Sequence, residues 1–248
     1  MTNPPTVFKK DVVMKKNDTA SAIYACQDRE TMIDFEGHIS MLFFTKGCNF
    51  TCRYCHNPEL ITQGGQNMSY DRLASLLARA KNNWIDAVCV TGGEPLIQHN
   101  IAETCEFIKS QRFFLKLDTN GSFPKTLKNV LPFCDYIAMD YKAPAAKYSA
   151  LTDVEIDMQN IAASLDILKN GAIPYEIRVT VLPGFHTEDD ITAICTETTG
   201  AHKLALQSFI PRDNLPDASL RETERTGDEL LKKFAAICEK HFDRVTIR

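Results

Sequence analysis

Thr45–Leu60, TKGCNFTCRYCHNPEL, carries three of the chain's nine cysteines, Cys48, Cys52 and Cys55, in the spacing C-x3-C-x2-C. Iron–sulfur clusters are held by cysteine thiolates, and a four-iron cubane normally takes four of them. Three thiolates on one short loop with no fourth nearby would leave one iron open to a ligand from outside. The loop therefore reads as a cluster that does chemistry rather than one that only passes electrons. The competing reading is structural zinc, which closes with four ligands, typically as two C-x2-C-like pairs. His56, directly after Cys55, is badly placed to be the fourth.

Outward from this loop the chain alternates. Apolar, β-favouring runs at Ile39–Phe44, Ala87–Thr91, Phe113–Asp118, Tyr136–Asp140, Tyr175–Val181 and Leu204–Ile210 predict six strands. Between them, Ser69–Asn82, Asn100–Ser110, Pro124–Leu131, Asp157–Asn170 and Glu188–Thr196 carry apolar residues at helical spacing. Ser69 is placed to cap the first of these helices, and Gly171 follows the point where the fourth should stop. Alternating strands and helices imply parallel strands joined by right-handed crossovers. Six such units predict an α/β fold, a partial (β/α)6 barrel of the TIM type, with function at the carboxyl ends of the strands. An open doubly wound sheet is the alternative.

The polar motifs fall at those strand ends. The cysteine loop follows the first strand, Thr91-Gly92-Gly93-Glu94-Pro95 the second, Asp118-Thr119-Asn120-Gly121 the third and Asp140-Tyr141-Lys142 the fourth. Paired glycines let a backbone approach a ligand closely, although GGEP alone could be a plain turn, and so could Asn120-Gly121. Carboxylates at Asp118 and Asp140 suit a hard cation. Lys142 offers a point charge to a carboxylate. Arg178 alternates with Ile177 and Val179, which turns it toward the barrel interior, where a charge is usually paired.

Taken together these residues resemble the radical S-adenosylmethionine (radical SAM) superfamily, in which an aromatic such as Tyr54 precedes the third cysteine. The resemblance implies a 4Fe-4S cluster on Cys48, Cys52 and Cys55, whose open iron chelates S-adenosylmethionine and whose electron cleaves it to a 5'-deoxyadenosyl radical. It also implies cofactor contacts from Tyr54, Gly92, Gly93, Glu94, Asp118, Asn120, Lys142 and Arg178. A corner at Asp118, Thr119 and Asp140 would take a monovalent or divalent cation. More narrowly, CNFTCRYCHNPEL, VTGGEP, LKLDTNG, YIAMDYKAP and RVTVLPGFHTEDD are similar to the activating proteins of anaerobic ribonucleoside-triphosphate reductase. That implies hydrogen abstraction from a glycine of a partner glycyl-radical enzyme, with an electron donor such as flavodoxin or ferredoxin. Two other readings compete: a radical SAM enzyme acting on a small molecule or nucleoside, and a non-enzymatic iron–sulfur or zinc protein.

Length and composition set bounds. With 248 residues, net charge −4, 44% hydrophobic and 24% charged residues, the chain has the makeup of an ordinary soluble protein with an ample core. Nothing in that charge suggests a nucleic-acid face, and no apolar run suggests a signal peptide or membrane span, so a cytoplasmic protein is expected. The six scattered cysteines read as buried free thiols. We expect residues 1–32 as an N-terminal extension, 33–211 as the radical SAM core, and 212–248 as a helix and closing strand packed on it. Trp84 is expected in the core, and the histidines outside the loop are read as ordinary.

Overall fold

The computed structural model describes residues 20–62 and 64–248. Within them one sheet runs in chain order: β1 (Ala25–Cys26), β2 (Ser40–Thr45), β3 (Ala87–Gly92), β4 (Phe114–Thr119), β5 (Tyr136–Asp140), β6 (Tyr175–Val181), β7 (Lys203–Ser208) and β8 (Arg244–Ile247). β1 pairs antiparallel with β2, and every later pair is parallel. Strands β2 to β7 are the six predicted ones, and the chain is a partial TIM-type barrel. Each crossover carries a helix on the outside: α1 (Tyr70–Asn82), α2 (Ile101–Ser110), α3 (Pro124–Val130), α4 (Tyr148–Thr152) with α5 (Met158–Lys169), α6 (Glu188–Glu197), and α7 (Asp228–Cys238).

Local chemistry sets these boundaries. Ser69 accepts from the Arg72 amide at the head of α1, and Asp157 from Gln159 at the head of α5. Thr187 and Asp190 form a reciprocal capping box on α6. On the helix-facing side of the sheet, Ile177, Val179 and Val181 of β6 are fully buried. The alternate residues Glu176, Arg178 and Thr180 point inward, as a period of two requires. The barrel thus has an apolar jacket and a polar lumen.

β8 does not pair with β1, so the barrel stays open at that seam. At the amino ends of the strands, residues 34–38 form a floor. Glu36 bonds Lys203 (2.8 Å) and Arg244 (2.5 Å), and the Asp34 carbonyl accepts from Lys116 (2.5 Å). Cys89, Cys105, Cys134, Cys195 and Cys238 are buried free thiols, and Cys26 is half-buried. Trp84 overturns its expectation: it is 88% exposed, in a left-handed turn (φ 62°) that ends the α1 connection and throws its ring outward. Among the described residues no helix is long and apolar enough to cross a membrane.

Candidate active site at the strand carboxyl ends

A cavity of about 330 Å³ opens at the carboxyl ends of the strands. It is lined by Cys48, Cys52, Cys55 and Tyr54 from the first loop, Gly92, Gly93 and Glu94 from the second, Asp118, Thr119 and Asn120 from the third, and Asp140, Lys142 and Arg178 beyond. The fold brings together every residue singled out in the sequence. What it does with several of them differs from expectation.

The paired glycines admit the protein's own backbone. Gly93 donates to the Thr45 carbonyl (3.1 Å) and Glu94 to that of Gly47 (2.8 Å), stitching the end of β3 to the start of the cysteine loop. A Cβ on Gly92 would lie 2.3 Å from the Thr45 carbonyl oxygen, and one on Gly93 would lie 2.0 Å from that of Gly47. Gly92 also holds φ at 122°, where a side chain is strained. Glu94, 1% exposed, accepts at Oε1 from Leu96 N–H (3.0 Å) and the Thr119 hydroxyl (2.7 Å), and at Oε2 from Asn120 N–H (2.6 Å). It ties the second strand end to the third. Burial pushes its carboxyl up to about 7 despite those bonds.

Asn120 is similarly committed. Its Nδ2 donates to Asn49 Oδ1 (2.9 Å), and its Oδ1 accepts from the Ser122 amide and hydroxyl. The third motif therefore braces the cysteine loop through Asn49, a residue the sequence did not single out.

Across the lumen runs an alternating chain of charge. Lys116 meets Asp118 Oδ1 (3.1 Å), Arg178 bridges Asp118 Oδ2 (2.9 Å) and Asp140 Oδ1 (2.7 Å), and Lys142 meets Asp140 Oδ2 (2.9 Å). Burial works against both carboxylates, but Arg178, with Lys116 on one and Lys142 on the other, holds each below the usual range. Burial likewise opposes the Lys142 charge, and Asp140 raises it well above the ordinary lysine value. The corner expected to take a cation is thus corrected. All four carboxylate oxygens already face side-chain cations, and the Thr119 hydroxyl is spent on Glu94. Lys116, on the same strand face as Asp118 two residues on, was missed. So was His186, which accepts the Leu182 amide at Nδ1 (2.9 Å) and therefore donates from Nε2 to the Lys142 carbonyl (3.0 Å), fixing that lysine's backbone.

The three thiols suit a cluster. Burial raises Cys48 to about 12 and Cys52 to about 11, and raises Cys55 as well, so ligation must displace protons. Lys142 offsets part of that cost at each of the three. Among the described residues no three His, Cys, Asp or Glu side chains group as a single ion would need, whereas a cubane takes each thiolate on a different iron. Tyr54 also lines the cavity, and its buried hydroxyl has no hydrogen-bond partner among the described residues. Among the described residues Lys142 spends one of its three N–H donors, on Asp140. These unspent polar groups fit a polar cofactor beside a cluster.

Residues 42–195 match the radical SAM superfamily, and the chain belongs to it. It is accordingly an iron–sulfur, S-adenosylmethionine-dependent enzyme by family. Among its relatives is a Methanocaldococcus jannaschii protein named "putative glycyl-radical enzyme activating enzyme", 27% identical over 223 residues, 87% of this chain and 91% of that one. A 7-carboxy-7-deazaguanine synthase of Geobacter sulfurreducens is 31% identical over 128 residues, 44% of this chain and 50% of the synthase. Among solved structures, Streptococcus suis SuiB bound to S-adenosylmethionine superposes with a TM-score of 0.64 at 11% identity, over 82% of this chain and 48% of that one. That likeness is one of fold.

Proposed function

We propose that this protein is a glycyl-radical enzyme activating enzyme. It would remove a hydrogen atom from a backbone glycine of a partner enzyme, with anaerobic ribonucleoside-triphosphate reductase as that partner and flavodoxin or ferredoxin as electron donor. The observation that carries this reading is the span of the likeness. The relative named for glycyl-radical activation is matched along nearly its whole length, while the synthase is matched over half of its own. Cavity size supports the same choice. About 330 Å³ lies at the lower end of the roughly 300–1,000 Å³ found for small-molecule sites. A cluster and one cofactor would use that space, and a glycine loop can reach the mouth from outside because it carries no side chain there.

In this reading Cys48, Cys52 and Cys55 hold a 4Fe-4S cluster. Tyr54, Gly92, Gly93, Glu94, Asp118, Asn120, Lys142 and Arg178 form the S-adenosylmethionine pocket. When bound, that cluster and cofactor would supply the electron and the hydrogen-abstracting chemistry. The chain's own residues orient and shield. Lys142, kept cationic by Asp140 and pinned by His186, offers two N–H donors to the cofactor's carboxylate. Glu94 Oε2 accepts only the Asn120 amide and can take a further bond from the cofactor's amino group. Asp118 and Arg178 act through the ion chain, fixing Asp140 and hence Lys142.

The test is anaerobic electron paramagnetic resonance on the reconstituted, reduced protein mixed with S-adenosylmethionine and the anaerobic reductase of the same source. A glycyl-radical doublet that needs all three components is expected. Formation of 5'-deoxyadenosine without a doublet would refute the partner assignment and favour a small-molecule substrate, the second reading, which the match to the synthase supports.

A further inference from the structure

Residues 48–56 lie outside any helix or strand, so the cysteines rest on single backbone bonds rather than a ladder: Cys48 N–H donates to the Ile61 carbonyl and Cys55 N–H to that of Cys52, both at 3.0 Å. On one side the loop is tied to the end of α4, where Arg53 N–H donates to the Leu151 carbonyl and Thr51 N–H to that of Thr152, both at 3.1 Å. On the other side it is gripped by a segment distant in sequence, the connection that follows β7. Arg53, between Cys52 and Cys55, donates from Nε to Asp217 Oδ2 (2.7 Å), and its Nη2 closes on the same oxygen. In return the Asp217 amide donates to the Arg53 carbonyl (3.1 Å). Side chain and backbone of one residue thus meet side chain and backbone of the other.

A second grip follows three residues on. His56 Nε2 meets the Ile210 carbonyl (3.0 Å), its ring lies 6.4 Å from that of Phe209, and Asn214 Nδ2 donates to the His56 carbonyl (3.4 Å). The gripping segment is itself anchored. Leu215 is fully buried, and Arg221 donates from Nε and Nη2 to its carbonyl (3.0 and 2.8 Å). The free oxygen of Asp217, Oδ1, accepts from the amide and hydroxyl of Ser219 (2.8 and 2.7 Å), which sets the carboxylate's orientation before Arg53 reaches it.

We propose that residues 209–217 form a strap that positions the cysteine loop for its cluster, with Arg53 and Asp217 as positioning residues. The inference rests on the reading that Cys48, Cys52 and Cys55 hold that cluster. Metal ligands work only when their supports fix them to within a fraction of an ångström, and here the support comes from a segment that straddles the expected boundary at 211/212 between the core and the C-terminal helix and strand. The Arg53 side chain is 40% exposed, so the pair's worth is that of a partly solvated contact, felt locally rather than across the fold.

The test uses the full chain with Asp217→Ala, the nearly isosteric Asp217→Asn, Arg53→Ala and the Arg53→Ala/Asp217→Ala double variant. Amide hydrogen exchange is read over residues 49–56 in the metal-free protein, and the rate of iron loss to a chelator in the reconstituted protein. Exchange and iron loss should each rise about fivefold in the Asp217→Ala and Arg53→Ala variants. The double variant should match either single one, because the two side chains act as one contact, and the denaturation midpoint of the metal-free protein should hold. Asp217→Asn should give a smaller rise in both. Wild-type exchange rates in both alanine variants, or an additive loss in the double variant, would overturn the proposal. A cluster retained by a Cys52→Ala variant would overturn the cluster reading instead, since the metal-free exchange result reports on the strap alone.

Discussion

Replacing Arg178 by methionine removes the guanidinium that bridges the buried carboxylate of Asp118, at 2.9 Å, and the half-buried one of Asp140, at 2.7 Å. Breaking a buried ion pair by deleting one partner costs about 3–5 kcal/mol, because the remaining charge is left uncompensated. Here Asp118 keeps Lys116 and Asp140 keeps Lys142, so the lower end, ~3 kcal/mol, is expected. For a chain of this size that lowers Tm by about 6–12 °C. The pH dependence has a definite sign. In the wild type both carboxyls are held below their ordinary range, so their contribution is present above the unfolded value near ~4 and lost as pH falls below it. In the variant burial raises them, so they protonate earlier and the deficit relative to wild type shrinks as pH falls from about 6 toward 4. Thermal denaturation followed by circular dichroism at pH 7.5 and pH 4.5 checks both points. A deficit below about 1 kcal/mol at pH 7.5, or one that grows on acidification, would refute the ion-chain account.

Glu94→Gln should cost about 1–3 kcal/mol, since either orientation of the amide sets an NH2 against a backbone N–H, that of Asn120 or that of Leu96; an unchanged urea midpoint would contradict this. In the wild type the carboxyl, raised to about 7, should make stability fall as pH rises from about 4.5 to 7, a slope that Glu94→Gln removes. Gly93→Ala, with its Cβ 2.0 Å from the Gly47 carbonyl oxygen, should displace the cysteine loop and abolish iron loading, as read by iron analysis after reconstitution. Any one of Cys48, Cys52 or Cys55 changed to alanine should eliminate S-adenosylmethionine cleavage, measured as 5'-deoxyadenosine by chromatography.

The strands were readable because each is a β-favouring run, the first four of them followed at once by a polar motif, and β5 and β6 agree with the sequence expectation to the residue. The location of the site was readable for the same reason, since every motif sits on a strand end. Harder to read was what each group spends its bonds on. The paired glycines looked like a ligand cradle, but the close approach is made by Thr45 and Gly47, whose backbone becomes a neighbour only once β2 and β3 pair. Asp118 and Asp140 looked like a cation corner because Lys116 was not weighed, although its place two residues before Asp118 on a strand put it on the same face. Asp217 and Asn214 carry no local signal. Their partners lie more than 150 positions away and meet them only through the barrel's closure toward β7. Trp84 misled because a large apolar residue at a helix end is usually buried, whereas here it stands two residues past α1 in a left-handed turn.

The most direct measurement follows the hydrogen atom itself. The reconstituted, reduced protein is incubated with S-adenosylmethionine and anaerobic ribonucleoside-triphosphate reductase prepared with glycine deuterated at Cα, and the 5'-deoxyadenosine formed is analysed by mass spectrometry. Deuterium transferred into the 5'-deoxyadenosine, in step with a glycyl radical on the reductase, is the predicted result. Product formed without deuterium, or none at all from a protein that carries its full complement of iron, would contradict the account.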